Sequence, residues 1–522
     1  MNTRVIIPRP VSEKFQGGYL KIDSCPEILG DPSFAPEIET FQEDMEHDFG
    51  ERFCAGNGNG SAEDRKKIIC QKVDGLEEEA YRLEIGDGGI KLSASAAAGL
   101  WHGLQTLRQL LLSGQPPHVW YTCNEQRSVD YQDGVFCVMP HAVIEDRPCF
   151  SWRGLMLDCS RYFYTTGFIK KLLRSVSLYH INKFHWHLTD DQGWRFPVDG
   201  YPLLTEIGSK RREHRLHGRF YGGFYTEEDI REIVDFAAAR HIEVIPEVDI
   251  PGHASSILAA YPGLGCTGGP YRVEDRFGIF EDVLCAGNDA IFDLAAGVFD
   301  SLVKLFPSKY IHIGGDEVRF NNWEACPKCQ KRLAETGLKN ARELQSWITV
   351  KLAGMLAERG KTGIGWDEVL ENTEKYKLPR EVIVMSWRGR AGGLAASRLG
   401  HRVIMAPNTE GCYLDYRHSE DPEEIGRDRI SRISQIYNMD PVSKDMSAEE
   451  AGLILGGQGN LWSEVIYSDR IAEYMIFPRI CALAETLWSP VESKDIDDFA
   501  RRLEINRTRL DHLGLLYYRG SL

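Results

Sequence analysis

The sequence predicts a (β/α)8 barrel preceded by a small α+β domain, and three observations carry that expectation. From about residue 150 onward, short β-prone runs alternate with amphipathic helical stretches, eight times in all. Polar and aromatic side chains gather where nearly every run ends, which is where barrel active sites assemble. The preceding segment lacks the alternation and instead mixes strand-like runs with one strongly periodic helix.

The N-terminal unit is expected to span residues 1–145 and the barrel residues 146–522. In the first unit Tyr81-Arg-Leu-Glu-Ile85 reads as a strand. Leu100, Leu104, Leu107 and Leu111 recur at helical spacing between Ser95 and Leu111. The proline-flanked stretch Ile144–Phe150 reads as the linker. The eight barrel strands are expected at Gly154–Cys159, Phe184–Leu188, Ile242–Val248, Tyr310–Ile313, Thr362–Trp366, Val382–Trp387, Arg402–Ala406 and Leu453–Gly456. Between them, Ile169, Leu172, Leu173 and Val176 line one helical face, as do Leu344, Ile348, Leu352 and Met355. Thr226 followed by Glu227, Glu228 and Asp229 is a helix start with acids in its first turn. A doubly wound sheet is the alternative architecture.

Composition narrows the function classes. Across 522 residues the formal charge is −16, with no dense basic stripe, which argues against a nucleic-acid partner. No run approaches the roughly 18 apolar residues that a membrane helix needs, and the start Met1-Asn-Thr-Arg-Val-Ile-Ile-Pro8 lacks the apolar run of a signal peptide. A cytoplasmic location is therefore the expectation for the chain as given, and oligomeric state is not encoded. The 13 cysteines are an odd, scattered set that fits reduced thiols. Cys326-Pro-Lys-Cys329 has the spacing of half a zinc site, but no second pair follows, so neither metal nor cofactor is expected. Cys266 and Cys285 bracket a loop and are candidates for a bridge under oxidising conditions.

The most informative segment is Tyr310-Ile-His-Ile-Gly-Gly-Asp-Glu317. A β-prone run ends in two glycines, which permit a bend and a close approach, and two adjacent carboxylates follow. Like charges in one partly dry space push one group toward its protonated form while its neighbour stays ionised. A general acid working near neutral pH requires that arrangement. The bland alternative is a solvated turn.

Two chemistries compete for the strand-end residues. Metal-dependent hydrolysis would use His185 and His187, on one strand face, with His253 and Asp316. Glycoside hydrolysis needs an acid beside the scissile oxygen, aromatic faces for sugar C–H surfaces and charged groups for hydroxyls. Trp366, Trp387, Trp462 and Tyr413, with Arg153, Asp415 and Glu464, supply these at strand ends, and this reading is preferred. A carbohydrate-binding barrel without catalysis is a third possibility.

Several ordered motifs then carry a resemblance. They are Trp152-Arg-Gly-Leu-Met-Leu-Asp158, Ser160-Arg-Tyr-Phe163, Phe184-His-Trp-His-Leu-Thr-Asp-Asp-Gln-Gly-Trp194 and Pro246-Glu-Val-Asp-Ile-Pro-Gly-His253. His312–Glu317, Gly365-Trp-Asp367, Tyr413-Leu-Asp415 and Leu461-Trp-Ser-Glu464 follow. Over roughly residues 1–505 the chain resembles the β-N-acetylhexosaminidases of glycoside hydrolase family 20. The resemblance implies a retaining exo-enzyme acting on glycans with terminal β-GlcNAc or β-GalNAc, whose 2-acetamido oxygen serves as the nucleophile. It implies Glu317 as general acid and base, and Asp316 as the group that orients the acetamido N–H. Tyr413 would donate to the acetamido oxygen, and Trp366, Trp387 and Trp462 would box its methyl. His253 with Asp190, in preference to Asp191, would tune Glu317, and Arg153, Asp415 and Glu464 would hold ring hydroxyls. Two departures are Tyr162 within the Arg-Tyr-Phe triplet and the absence of tryptophan between Leu414 and Asp440.

Overall fold

The computed structural model describes residues 4–22, 26–50, 66–113, 137–213 and 217–522. The first unit is a six-stranded sheet of β1 (Ser12–Ile22), β2 (Glu27–Gly30), β3 (Lys67–Lys72), β4 (Tyr81–Gly86), β5 (Gly89–Ala94) and β6 (Cys137–Asp146), in the order β1-β6-β4-β5-β3-β2. Helices α1 (Ala35–Phe49) and α2 (Ala97–Ser113) accompany it. The periodic leucines of α2 are all buried, in a core shared with strand residues such as Leu83 and Leu92 and with Trp488 from the barrel. Strand β6 continues to Asp146, pairing with Tyr81, so the connection between the units is shorter than the linker read from sequence.

The barrel closes from eight parallel strands in chain order: β7 (Trp152–Asp158), β8 (Lys183–His187), β9 (Glu243–Glu247), β10 (Tyr310–His312), β11 (Thr362–Trp366), β12 (Ile383–Ser386), β13 (Val403–Met405) and β14 (Ile454–Leu461). Each corresponds to one of the expected runs. The last is longer than expected, because Gly456, Gly457 and Gly459 interrupt the apolar pattern inside it. Gly456 has φ 141°, and a Cβ there would lie 2.0 Å from the Trp152 carbonyl, so the approach of β14 to β7 requires glycine. The expected helix after Thr226 runs over Glu227–Ala238, and its Thr226–Asp229 capping box satisfies orphan N–H groups.

Side chains alternate across each strand, and the two parities go to different places. Trp152, Met156, Ile245, Ile364, Trp366, Ile383, Met385 and Ile404 fill the interior. Leu155, Leu157, Phe184, Trp186 and Val244 face the surrounding helices. The interior parity brings Asp158, His187, Glu247 and His312 side by side, since each is the registered partner of the next. One polar layer therefore lies directly beneath the strand ends.

Candidate functional site

Beyond β10 the backbone turns through Gly314 (φ 63°) and Gly315 (φ 93°). A Cβ on Gly314 would sit 1.8 Å from Asp249 Oδ1, and the Gly315 N–H donates to that same oxygen at 2.9 Å. The glycine pair is thus what lets Asp249 approach the carboxylates that follow. Glu317 (φ 51°) and His253 (φ 45°) both lie in the left-handed region, which costs a non-glycine residue about 1–3 kcal/mol. Surrounding packing and hydrogen bonds hold both side chains in position despite that strain.

His253 is the junction of the site. Its Nδ1 lies 3.1 Å from Asp191 Oδ2 and 3.2 Å from Asp190 Oδ1, and its Nε2 is 3.6 Å from Glu317 Oε2 and 3.8 Å from Asp316 Oδ2. Both aspartates therefore contact the ring: Asp190 does so as expected, and Asp191, given second place in the sequence reading, does so too and also accepts the Ser255 N–H and hydroxyl. Asp190 Oδ2 meets His187 Nε2 at 3.0 Å and Arg161 Nη2 at 2.8 Å. His187 Nδ1 in turn bonds Glu247, whose carboxylate also meets His185 Nε2 at 3.0 Å, His312 Nδ1 at 2.9 Å and Trp366 Nε1 at 2.9 Å. His185 and His187 thus grip a buried carboxylate, while His253 and Asp316 belong to a separate group. The four donors proposed for a hydrolytic metal do not converge.

Proton placement differs from the sequence expectation in one respect. The pair is split as expected, but the raised member is Asp316. Burial and the neighbouring Asp249 charge push Asp316 well above the usual carboxylate range, and burial raises Asp249 to about 6. Burial also favours a protonated Glu317, yet the hydrogen bond and charge of His253 outweigh it and pull Glu317 down. Burial opposes charge on His253 too, but Asp190, Asp191 and Glu317 hold it protonated, well above its ordinary value. Glu317 is the more exposed carboxylate and faces a cation, whereas Asp316 is buried beside another acid.

Aromatic rings wall the space beside these acids. Trp366 and Trp462 lie 5.7 Å apart at 45°, and Trp387 stacks on Tyr413 at 5.9 Å and 13°. Trp387 Nε1 donates to Glu368, which burial and the charges of Asp316 and Asp367 raise to about 9. Burial keeps the Tyr413 hydroxyl protonated as a donor. The loop carrying Tyr413 and Asp415 is tied to β14 by Leu414 N–H to Asn460 O at 2.8 Å, and the buried Arg479 guanidinium donates to the Leu414 and Tyr416 carbonyls. Asp415 and Glu464 share Arg427, at 3.3 and 3.0 Å. Asp316 Oδ1, Asp415 Oδ1 and Glu464 Oε2 are buried without a hydrogen-bond partner among the described residues. Such acceptors are costly unless a ligand's donors meet them.

One expected site residue is elsewhere. Arg153 is the second residue of β7 and has the outward parity, so it lies at the opposite end of the barrel. There its guanidinium bonds Glu79 at 2.5 Å and the Phe150 and His180 carbonyls, over the Trp488 ring at 5.0 Å. Arg161, just past the strand's C-terminal end, is the site arginine. It pairs with Asp158 and Asp190 and lies 5.1 Å over Trp462. Parity was the available signal: Arg153 is out of step with Asp158, and Arg161 lies beyond the strand. The sequence reading counted Glu247 and Asp249 among the functional side chains at strand ends but gave neither a specific role, and it did not assign Glu368 or Arg427 to the site.

Residues 150–491 match the family described as "Glycosyl hydrolase family 20, catalytic domain", and residues 3–146 match "Glycosyl hydrolase family 20, domain 2". A beta-hexosaminidase of Porphyromonas gingivalis is 41% identical over 85% of this chain, and the match spans only 55% of that longer protein. A beta-hexosaminidase of Akkermansia muciniphila is 35% identical over 84% of this chain and 85% of its own length. Among solved structures, an exo beta-N-acetylglucosaminidase from Vibrio harveyi in complex with N-acetylglucosamine superposes with a TM-score of 0.86 at 28% identity, covering 99% of this chain and 79% of that one.

The relocation of Arg153 has a measurable consequence. Removing one partner of a buried ion pair is strongly destabilising, so Arg153→Ala should lower the unfolding free energy by roughly 3 kcal/mol. Urea unfolding checks this, and steady-state kinetics on the same variant should show an unchanged KM.

Proposed function

We infer the reaction from one premise: the chain belongs to glycosyl hydrolase family 20. It is a retaining exo-β-N-acetylhexosaminidase that removes terminal β-GlcNAc or β-GalNAc from glycans by substrate-assisted catalysis. One observation supports this above the others. The Asp316 charge reaches Tyr413, whose ring neighbours Trp387 and Trp462, with Trp366 against Trp462, and such an aromatic cluster beside the acid pair suits an N-acetyl group next to the scissile bond. The intact acid pair and its His253 network disfavour a binding-only barrel, and the divided donor groups disfavour a metal hydrolase.

The geometry supports the following sequence. The indoles and Tyr413 hold the acetamido group so that its carbonyl oxygen faces the anomeric carbon. Alignment of an intramolecular nucleophile is worth about 7–11 kcal/mol. Asp316 must accept the acetamido N–H, which favours its ionised form. An anionic Asp316 beside Glu317, and a sugar ring that excludes water from both, favour protonated Glu317. Substrate binding thus reverses the resting distribution without changing the proton count: the proton leaves the Asp249–Asp316 pair and Glu317 gains one. Glu317 then protonates the departing glycosidic oxygen as the amide oxygen closes on the anomeric carbon. Asp316 offsets the positive charge of the resulting oxazolinium ring. In the second half Glu317 takes a proton from water, which opens the ring from the opposite face, so two inversions give retention. Arg161, Asp415 and Glu464 are placed to meet ring hydroxyls.

Glu317→Gln should reduce kcat by about 10²–10⁴-fold on substrates with poor leaving groups, and far less on nitrophenyl glycosides, whose leaving group needs little protonation. Parallel assays of a chitooligosaccharide and a nitrophenyl β-GlcNAc check this. Asp316→Asn should lower kcat by about 10²–10³-fold on both substrates, since it loses charge stabilisation of the ring.

The pH profile of kcat/KM has a defined sign. The productive state carries one proton on the Asp316–Glu317 pair, and the resting pair loses it at the pKa of Asp316, which burial and Asp249 raise, so the alkaline limb lies above the ordinary carboxylate range. Asp249→Asn removes the neighbouring charge, lowers the Asp316 pKa and should move the alkaline limb to lower pH. A limb that stays in place contradicts the assignment.

A further inference from the structure

Four cysteines from two loops converge at the C-terminal face of the barrel. Cys266 and Cys285 lie in the loop after β9, the loop that carries His253, and Cys326 and Cys329 lie in the loop after β10, downstream of Glu317. The Sγ atoms of Cys266 and Cys329 are 3.8 Å apart, those of Cys285 and Cys326 are 3.8 Å apart, and those of Cys285 and Cys329 are 3.6 Å apart. All four lie within 4.8 Å of one another, with three buried and Cys266 half-buried. The sequence reading dismissed zinc because no second pair follows Cys326-x-x-Cys329. The second pair precedes it, brought alongside because β9 and β10 are neighbours in the barrel.

The dimensions are those of a metal-thiolate tetrahedron. Zinc–sulfur bonds of about 2.3 Å place tetrahedral ligand sulfurs about 3.8 Å apart. Disulfide sulfurs sit about 2.05 Å apart in exclusive pairs. Here Cys285 and Cys329 each neighbour two other sulfurs, so the thiols form one cluster rather than two pairs. The backbone fits the same role. Gly287 packs so closely on the Cys326–Cys329 turn that a Cβ would meet the Lys328 carbonyl carbon at 2.2 Å and the Cys329 nitrogen at 2.5 Å. Cys326 is the N-cap of the helix Pro327–Thr336, and Cys329 lies in its first turn, where the helix dipole favours thiolates.

We propose that Cys266, Cys285, Cys326 and Cys329 bind a structural zinc ion that clamps the two loops bearing His253 and the Asp316–Glu317 pair. The clamp lies outside the aromatic pocket and takes no part in the chemistry. Its mechanical path is short on both sides. The Leu284 N–H bonds the Pro251 carbonyl at 3.0 Å, two residues before His253, and Trp323 Nε1, six residues past Glu317, bonds the Leu284 carbonyl at 2.8 Å. Fixing the cysteines therefore fixes the spacing of the loops on which His253 and Glu317 keep their strained backbones.

The test is the metal content and thiol state of the full chain, purified without added metal or chelator. About one zinc per chain is expected, with an X-ray absorption spectrum showing sulfur neighbours alone at about 2.3 Å. The double variant Cys326→Ser with Cys329→Ser should lose the zinc and melt at a lower temperature. If that variant does not fold, the wild-type chain still decides. Treatment with an organomercurial should release zinc in step with modification of four thiols, read with a chromogenic zinc indicator. Four free thiols without zinc, disulfides among these cysteines, or a zinc shell containing nitrogen or oxygen would each overturn the proposal. None of these readouts depends on the hexosaminidase reading.

Discussion

The buried Glu247 carboxylate is the anchor on which the site depends. It sits inside the barrel with His185, His187 and His312 and the Trp366 indole N–H around it. An unpaired carboxylate at that depth would cost several kcal/mol, so its partners are held close around it. His187 passes this order to Asp190, Asp190 to His253, and His253 to Glu317. The same carboxylate fixes Trp366, one wall of the aromatic pocket. A single buried charge thereby positions both the proton donor and the surface that aligns the internal nucleophile.

The second constraint is steric. Asp249 approaches the turn only because Gly314 lacks a side chain, and that approach pushes the Asp316 carboxyl above its ordinary range. Burial and Asp249 raise the Asp316 carboxyl, while His253, itself raised by Asp190 and Asp191, lowers Glu317. In the proposed reaction, binding an acetamido sugar would change which carboxylate is the stronger base. On this account the adjacency of the two acids is a switch: occupancy of one side sets the protonation of the other.

Much of this was legible in the sequence for definite reasons. The eight strands follow from apolar runs with functional residues at their ends, and β14 fell short only where glycines remove the pattern. Asp316, Glu317, Tyr413 and the three tryptophans follow from their place after those runs, and the structure brings them together. Arg153 was misplaced because its side of the strand was not counted: Asp158 points inward, Arg153 outward, and Arg161 follows the strand. Asp249 lies inside the Pro246–His253 motif, but its bearing on Asp316 depends on a contact across two loops that spacing does not encode. The cysteine cluster escaped for the same reason, since Cys266 and Cys329 meet only because neighbouring barrel strands deliver their loops to one place. Proton placement lay beyond sequence, because it turns on relative burial and on the distance from His253.

The central claim is that the sugar's own amide is the nucleophile and that the acid pair exists to prepare it. A series of aryl β-GlcNAc glycosides whose acetyl methyl carries zero, one, two or three fluorines tests this most directly. Each fluorine withdraws electrons from the carbonyl oxygen with little change in size, so kcat/KM should fall steeply along the series. Rates that are insensitive to fluorination would contradict the account.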